Sequence, residues 1–178
     1  GRALVFVGIN NGQRQLFLRS LGSSEARALP GTAGAVAPTV SADGKWVAFW
    51  ADDAIRKVPL TGGPASVLAE GVPLPPSGMH WGATGLLVFG RDESTIWGVR
   101  AGGKPEALTA LAPSELWHLT PHLLPGDAAL LFTARRREWT WGDEEVVAQV
   151  LATGERKVLL TNATDARYLP PGRMTFLR

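Results

Sequence analysis

The sequence predicts an all-β protein built from repeated four-stranded antiparallel sheets. In residues 37–71, short apolar runs such as Trp46–Trp50 alternate with turn sequences such as Ser41–Gly44. Similar turns return about every 40–45 residues, and an aromatic residue holds the same place in each copy. A single four-stranded meander is too small to bury both of its faces, so the copies are expected to pack on one another. A repeat of this length with four strands is the period of a β-propeller blade.

The clearest copy of the repeat lies within residues 36–78. Its Asp43-Gly44 pair is typical of a tight turn, because Gly adopts positive φ freely and Asp bonds its own backbone. The four strands of this copy are expected at Ala37–Val40, Trp46–Trp50, Ile55–Leu60 and Ala65–Leu68.

Two columns of residues align the copies. One column is aromatic and consists of Phe6, Phe49, Phe89, Phe132 and Phe176. The other consists of Val40, Trp81, Leu123 and Tyr168. In the later turns the place of Asp43 belongs to another residue type, so those turns are expected to close without an Asp side chain. The residues at that place are Thr84, Gly126 and Pro171.

The repeats predict one propeller domain or fragment over residues 1–178. Their approximate bounds are 1–35, 36–78, 79–117 and 118–163, with 164–178 as a partial fifth repeat. Residues 112–120, which hold Trp117 and His118, are expected to be a linker. The first repeat lacks a first strand and the last stops after its second. We therefore expect a partial propeller of about four blades, or half of a roughly eight-bladed ring completed by a second copy of the chain.

Composition excludes several classes of site. The chain has no cysteine, which removes disulfides, thiolate nucleophiles and Cys-bound zinc. A net charge of +2 is too small to indicate a nucleic-acid partner. Gly or Pro interrupts every apolar run, so membrane insertion is not expected. These observations leave the compartment open between the cytoplasm and the bacterial periplasm.

Three segments carry a family resemblance. Residues 41–49 (SADGKWVAF), 55–64 (IRKVPLTGGP) and 151–159 (LATGERKVL) resemble the TolB-type, WD-repeat-like β-propeller repeat of bacteria. Within that family, the repeats are most similar to those that follow some bacterial serine/threonine kinase domains. The resemblance implies the propeller fold, but it indicates little about function because propellers serve many tasks.

A column of polar residues precedes the second alignment column by one position. It consists of Thr39, His80, His122 and Arg167. In a propeller the first strand of each blade lines the central channel, so these residues could form a ring that binds a peptide or a small anion. The alternative is that they are solvated residues of a water-filled channel. A metal is not expected, since Thr39 and Arg167 are poor ligands beside the two histidines.

An enlarged loop in the fourth repeat is the second candidate site. It spans residues 135–143, and its candidate binding residues are Arg135, Trp139 and Trp141. Arg and Trp are enriched at binding hot spots, and enlarged loops on rigid scaffolds often carry function. Alternatively, the tryptophans face one side of a lengthened hairpin and the arginines form a solvated rim.

The sequence lacks enzyme signatures. It has no G-x-S-x-G, G-x-x-x-x-G-K-[ST] or H-E-x-x-H motif, and no kinase H-R-D or D-F-G. We therefore expect no catalytic residues, no cofactor and a non-catalytic module that binds a protein, a peptide or another ligand, such as the sensory or scaffolding region of a signalling protein. One alternative is the gating propeller of a serine peptidase whose catalytic domain lies elsewhere. Another is a structural fragment that self-assembles without a ligand.

Overall fold

The structure is a computed structural model that describes residues 3–91, 94–137 and 142–178. Strands and turns make up these residues, with no helix among them. In this part of the chain there is consequently no helix of the length and apolarity needed to cross a membrane. The chain divides into two compact units, Gly1–Pro75 and Pro76–Arg178.

The first unit contains two antiparallel sheets. Sheet one consists of β1 (Ala3–Asn10), β2 (Gln13–Ser20) and β3 (Ala26–Ala28). Sheet two consists of β4 (Val36–Val40), β5 (Trp46–Ala51), β6 (Ala54–Pro59) and β7 (Ser66–Glu70). The strands of each sheet pair in sequence order, as a meander does.

The second unit contains three antiparallel sheets. Sheet three consists of β8 (Met79–Trp81), β9 (Leu87–Gly90), β10 (Ile96–Val99) and β11 (Glu106–Ala107). Sheet four consists of β12 (Glu115–Leu123), β13 (Ala129–Arg136), β14 (Glu145–Val150) and β15 (Arg156–Thr161). Sheet five consists of β16 (Thr164–Leu169) and β17 (Arg173–Leu177). The predicted all-β class and the four-stranded repeat are confirmed.

The apolar core lies between neighbouring sheets. Phe49, Phe89 and Phe132 are at most 1% exposed, each in the second strand of a four-stranded sheet. In the first unit, Phe49 packs with Leu16 and Val58 between sheets one and two. The same column is about 40% exposed in the incomplete sheets, at Phe6 and Phe176. Burial of this column therefore depends on a sheet having its full set of strands and a neighbour.

The sequence pattern predicted a linker over residues 112–120, and this prediction is wrong from Glu115 onwards. Strand β12 begins at Glu115 and continues to Leu123. Its register shifts between Leu119 and His122, which marks a β-bulge, and Thr120 has φ of 48°. The bulge interrupts the alternation of apolar and polar residues, so the first half of the strand does not show the pattern of a strand.

The turn that contains Thr84 closes with an Asp carboxylate after all. Asp127 of the next sheet accepts hydrogen bonds from the Thr84 N–H at 2.7 Å and the Thr84 hydroxyl at 2.8 Å. In sheet two the carboxylate belongs to the turn itself, because Asp43 accepts hydrogen bonds from the Ser41 hydroxyl and the Lys45 N–H. Gly82 leaves room for Asp127 in this turn, since a Cβ at position 82 would overlap the Asp127 carboxylate. The expectation of a turn without Asp is therefore wrong at Thr84.

Replacing Asp127 should destabilise the protein more than replacing Asp43. The substitution Asp127→Ala leaves a partly buried Thr84 N–H without its acceptor, which costs about 2 kcal/mol in the free energy of unfolding. In Asp43→Ala, water replaces the exposed carboxylate, so the loss is smaller. Urea titration of both variants measures the difference, and equal losses would contradict the role of Asp127.

Candidate functional site

The four residues of the polar column occupy one register position in their sheets. Thr39 pairs with Ala48, His80 with Val88, His122 with Leu131 and Arg167 with Thr175. Each partner immediately precedes a phenylalanine of the aromatic column. The column is therefore defined by hydrogen-bonded register as well as by sequence spacing.

A residue with left-handed backbone precedes each column residue by two positions. These residues are Ala37 (φ 49°), Gly78 (φ 145°), Thr120 (φ 48°) and Asp165 (φ 51°). Register shifts accompany three of them, in β4, β12 and β16. Bulges of this kind bend a strand and re-aim the side chains that follow, and they are common beside functional sites. The sequence does not signal them, because Ala and Thr are unusual at positive φ.

The bulges of the second unit are tied to one another. Gly78 lies against Thr120, where a Cβ on the glycine would be 3.0 Å from the Thr120 Cα. The buried Thr133 hydroxyl then bonds the Thr120 hydroxyl at 2.8 Å and accepts the Asp165 N–H at 3.1 Å. The Thr164 hydroxyl also lies 3.2 Å from the Thr133 hydroxyl. These contacts fix the first strands of sheets three, four and five beside one another.

His80, His122 and Arg167 come together as a result, and we call them the His–Arg cluster. The two imidazole rings lie 4.0 Å apart between centroids, with their planes tilted by 35°. The Arg167 guanidinium reaches the Pro121 carbonyl at 3.5 Å, next to His122, and pairs with Asp165 at 2.6 Å. All three cluster residues are partly buried. Thr39 occupies the equivalent register position in the first unit.

Both imidazoles of the cluster are held neutral. Burial lowers the pKa of His122 to about 4, and the proximity of His80 and of the Arg167 charge adds to the effect. Burial also lowers the pKa of His80, again with help from Arg167 and with opposition from Asp127. The influence of Arg167 on both rings means that the three groups share one electrostatic environment.

A second buried polar group joins sheets three and four. The His118 Nε2 lies 3.0 Å from a Glu115 carboxylate oxygen, and its Nδ1 lies 2.7 Å from the Thr109 hydroxyl. Arg156 donates to both oxygens of Glu115, at 2.5 and 3.2 Å. Burial alone would raise the pKa of Glu115, but the hydrogen bonds from Arg156, the Ala112 N–H and His118 lower it.

The order hydroxyl, imidazole, carboxylate in this group is also that of a hydrolase triad. Here Thr109, Glu115 and His118 are all buried, at 6%, 7% and 0% exposure, and the Thr109 hydroxyl already accepts the Ile96 N–H. Arg156 neutralises the carboxylate that would otherwise stabilise an imidazolium. The group is suited to joining the two sheets, and the sequence pattern that made residues 112–120 a linker concealed it.

Arg135, which the sequence placed in the enlarged loop, lies instead in strand β13. Its guanidinium pairs with Glu144 at 2.9 Å and lies 5.5 Å from the centre of the Trp117 ring. It helps to line a cavity of about 280 Å³ together with Arg178 and other residues. Trp139 and Trp141, the other two candidates of this loop, lie outside the described residues.

The cluster does not have the composition of a metal centre. Across residues 3–91, 94–137 and 142–178, no three His, Cys, Asp or Glu side chains are arranged to hold a metal ion. Neutral imidazoles beside a guanidinium instead present N–H donors, which suit an acceptor-rich or anionic ligand.

Solved structures match this fold, although no protein-family model and no curated protein sequence matches the chain. TolB from Acinetobacter baumannii aligns with 99% of the chain at a TM-score of 0.74 and 16% identity. A putative TolB from Agrobacterium tumefaciens aligns with 99% at a TM-score of 0.78 and 17% identity. The chain has a TolB-like β-propeller fold. It spans 49% of the length of the first protein and 69% of the second.

An enzyme also contains a similar propeller. A prolyl endopeptidase structure covers 95% of this chain at a TM-score of 0.62 and 16% identity, and the chain spans 32% of that protein. At these identities the likeness shows the fold alone. Propellers of this type therefore occur both in TolB proteins and within enzymes.

Relieving the backbone strain at Ala37 should reverse the usual effect of an Ala-to-Gly substitution. A left-handed Ala costs roughly 1–2 kcal/mol, which exceeds the entropy lost by introducing Gly. We expect Ala37→Gly to leave the protein equally stable or to stabilise it by about 0.5 kcal/mol. Ala26→Gly, on exposed β3, should lower stability. Thermal unfolding of the two variants checks the sign, and similar losses in both would argue against strain at the bulge.

Acid should destabilise the protein through its histidines. All three, His80, His118 and His122, have lowered pKa values in the folded state. Below pH 6.5 the unfolded chain therefore binds protons that the folded chain does not, and the free energy of unfolding falls. For His122 this loss extends from pH 6.5 to about 4.

Replacing His122 with a residue that does not titrate isolates its contribution to the pH dependence of stability. The stability of His122→Gln should depend less on pH than that of the native protein across the same window. Urea midpoints measured through the window provide the comparison, with Arg173→Gln on β17 as an exposed control. Parallel pH profiles for the native protein and His122→Gln would refute the assignment.

Proposed function

We propose that this chain is a non-catalytic propeller module that binds a protein, a peptide or another ligand through its first strands. The observation that carries the proposal is the convergence of His80, His122 and Arg167 at one register position of three adjacent strands. First strands line the channel of a propeller, where a ligand meets side chains from several blades at once. In a bacterial signalling protein, such a module would serve as a sensory or scaffolding region.

The construction of the site supports this proposal. Bulges with left-handed residues bring the polar side chains together, although such backbone is less stable than regular strand. The rings of His80 and His122 are also desolvated, which lowers their pKa values. A solvated channel lining would need neither the bulges nor the burial.

A peptide-display selection on the intact protein tests this function. Selected peptides should bind saturably, and Arg167→Gln and His122→Phe should each weaken them about tenfold, as expected for loss of a hydrogen bond to a charged group or of a buried contact. Arg173→Gln is the matched control. A selection without saturable binders, or binders that tolerate both cluster substitutions, would overturn the proposal.

The likeness to a prolyl endopeptidase favours one other function. The chain would then be a gating propeller that restricts access to a catalytic domain encoded elsewhere in the same gene. A G-x-S-x-G nucleophile motif elsewhere in the complete reading frame would favour this function, and its absence would count against it.

A further inference from the structure

We propose that the His–Arg cluster binds a carboxylate group, with the imidazole N–H groups of His80 and His122 and the guanidinium of Arg167 as its donors. This inference rests on the proposed function and adds the chemical class of the ligand.

The His80 ring is held in one tautomer. The Leu123 N–H donates to its Nδ1 at 3.0 Å, so in the neutral ring the proton is on Nε2. Among the described residues no acceptor faces that Nε2–H. His80 therefore contributes a donor that the fold positions but does not use.

The His122 ring leads to the same conclusion. Its Nδ1 is buried and has no hydrogen-bond partner within the described part of the chain. Burying an N–H without an acceptor costs more than burying a bare lone pair on a weakly basic nitrogen, so the neutral ring is expected to carry its proton on Nε2 as well. The two rings, 4.0 Å apart, thus present two N–H groups from neighbouring strands.

Arg167 supplies the charge. Its guanidinium has five N–H donors; one of them reaches the Pro121 carbonyl, and the group forms an ion pair with Asp165. Its side chain is 33% exposed, so a ligand can reach it. Because Arg167 lowers the pKa of both histidines, its charge acts on the place where the rings meet.

The carboxylates nearby are already engaged. Asp165 pairs with Arg167, and Asp127 accepts from the Thr84 N–H and hydroxyl. The remaining donors of the cluster are therefore open to an acceptor from outside the chain. A singly charged carboxylate suits a group in which Asp165 already offsets part of the arginine charge, whereas a doubly charged phosphate would require more positive charge.

The test follows the imidazole resonances of the intact protein by NMR during titration with small probes. Succinamate, the monoamide of succinic acid, has a single carboxylate, succinamide has a similar shape and no charge, and inorganic phosphate provides a second anion. Succinamate should shift the His80 and His122 signals saturably, whereas succinamide should not shift them and phosphate should bind more weakly. His118 is fully buried in the Glu115–Arg156 group and serves as an internal reference that should not move.

Matched peptides distinguish the two sources of a carboxylate. An acetylated Gly-Ala-Ala peptide with a free C-terminus, compared with its C-terminal amide, reports on recognition of a chain terminus. Tighter binding of the free acid than of succinamate identifies a peptide ligand, and the reverse identifies a small organic acid. Both results support the carboxylate assignment.

Substitutions link the signal to the cluster. Arg167→Gln should weaken succinamate binding at least about tenfold, because hydrogen bonds to charged groups contribute most strongly. Arg167→Lys, which keeps the charge and loses the planar fork, should give an intermediate affinity, and Arg173→Gln should bind as the native protein does. An unchanged His118 signal verifies that each variant is folded.

Three results would overturn the inference. Succinamide could shift the cluster signals as strongly as succinamate, or phosphate could bind more tightly than succinamate. Alternatively, no carboxylate probe could bind while selected peptides still bind in an Arg167-dependent manner, which would leave the proposed function standing without this ligand class. Failure of the peptide selection itself would instead remove the proposed function.

Discussion

The left-handed residue two positions before each column residue is the constraint on which the candidate site depends. A regular strand alternates its side chains between two faces, so a column residue would lie where the pleat directs it. A bulge changes that direction for all the residues that follow. Because Gly78, Thr120 and Asp165 occur at one point of successive sheets, three side chains turn towards a common place.

Packing and polar contacts have different roles in maintaining this arrangement. The phenylalanine column fills the space between sheets, and apolar burial of this kind tolerates small displacements. Hydrogen bonds, which have defined lengths, do not tolerate such displacements. The Thr133 hydroxyl bonds to Thr120 and to the Asp165 N–H, so it fixes β12 against β16. The buried Glu115–His118–Thr109 group does the same between sheets three and four.

The strands and their repeat could be predicted because they depend on local pattern. Apolar runs between Gly, Pro, Asn and Asp turns locate most strands within a few residues, and the repeat then brings the four column residues into alignment. The aromatic column likewise identifies the second strand of sheets two to five without any knowledge of their neighbours.

The remaining features depend on tertiary context. Positive φ at Ala37 and Thr120 has no local signal, because neither residue type favours it. For the same reason the first half of β12 did not have the pattern of a strand. The spacing of the repeat showed that His80 and His122 are equivalent, but the 4.0 Å approach of their rings follows from tertiary packing, where Gly78 lies against Thr120. The partner of Thr84 is Asp127, which is too distant in sequence for a turn rule to find.

The carboxylate shared between sheets three and four limits how freely the repeats can be exchanged. In sheet two, the Ser41–Lys45 turn contains its own Asp and could be moved as a self-sufficient module. The Thr84 turn needs Asp127 from the following sheet, and Gly82 leaves the room for it. Shuffling, duplicating or grafting these blades would therefore have to treat sheets three and four as one inseparable pair.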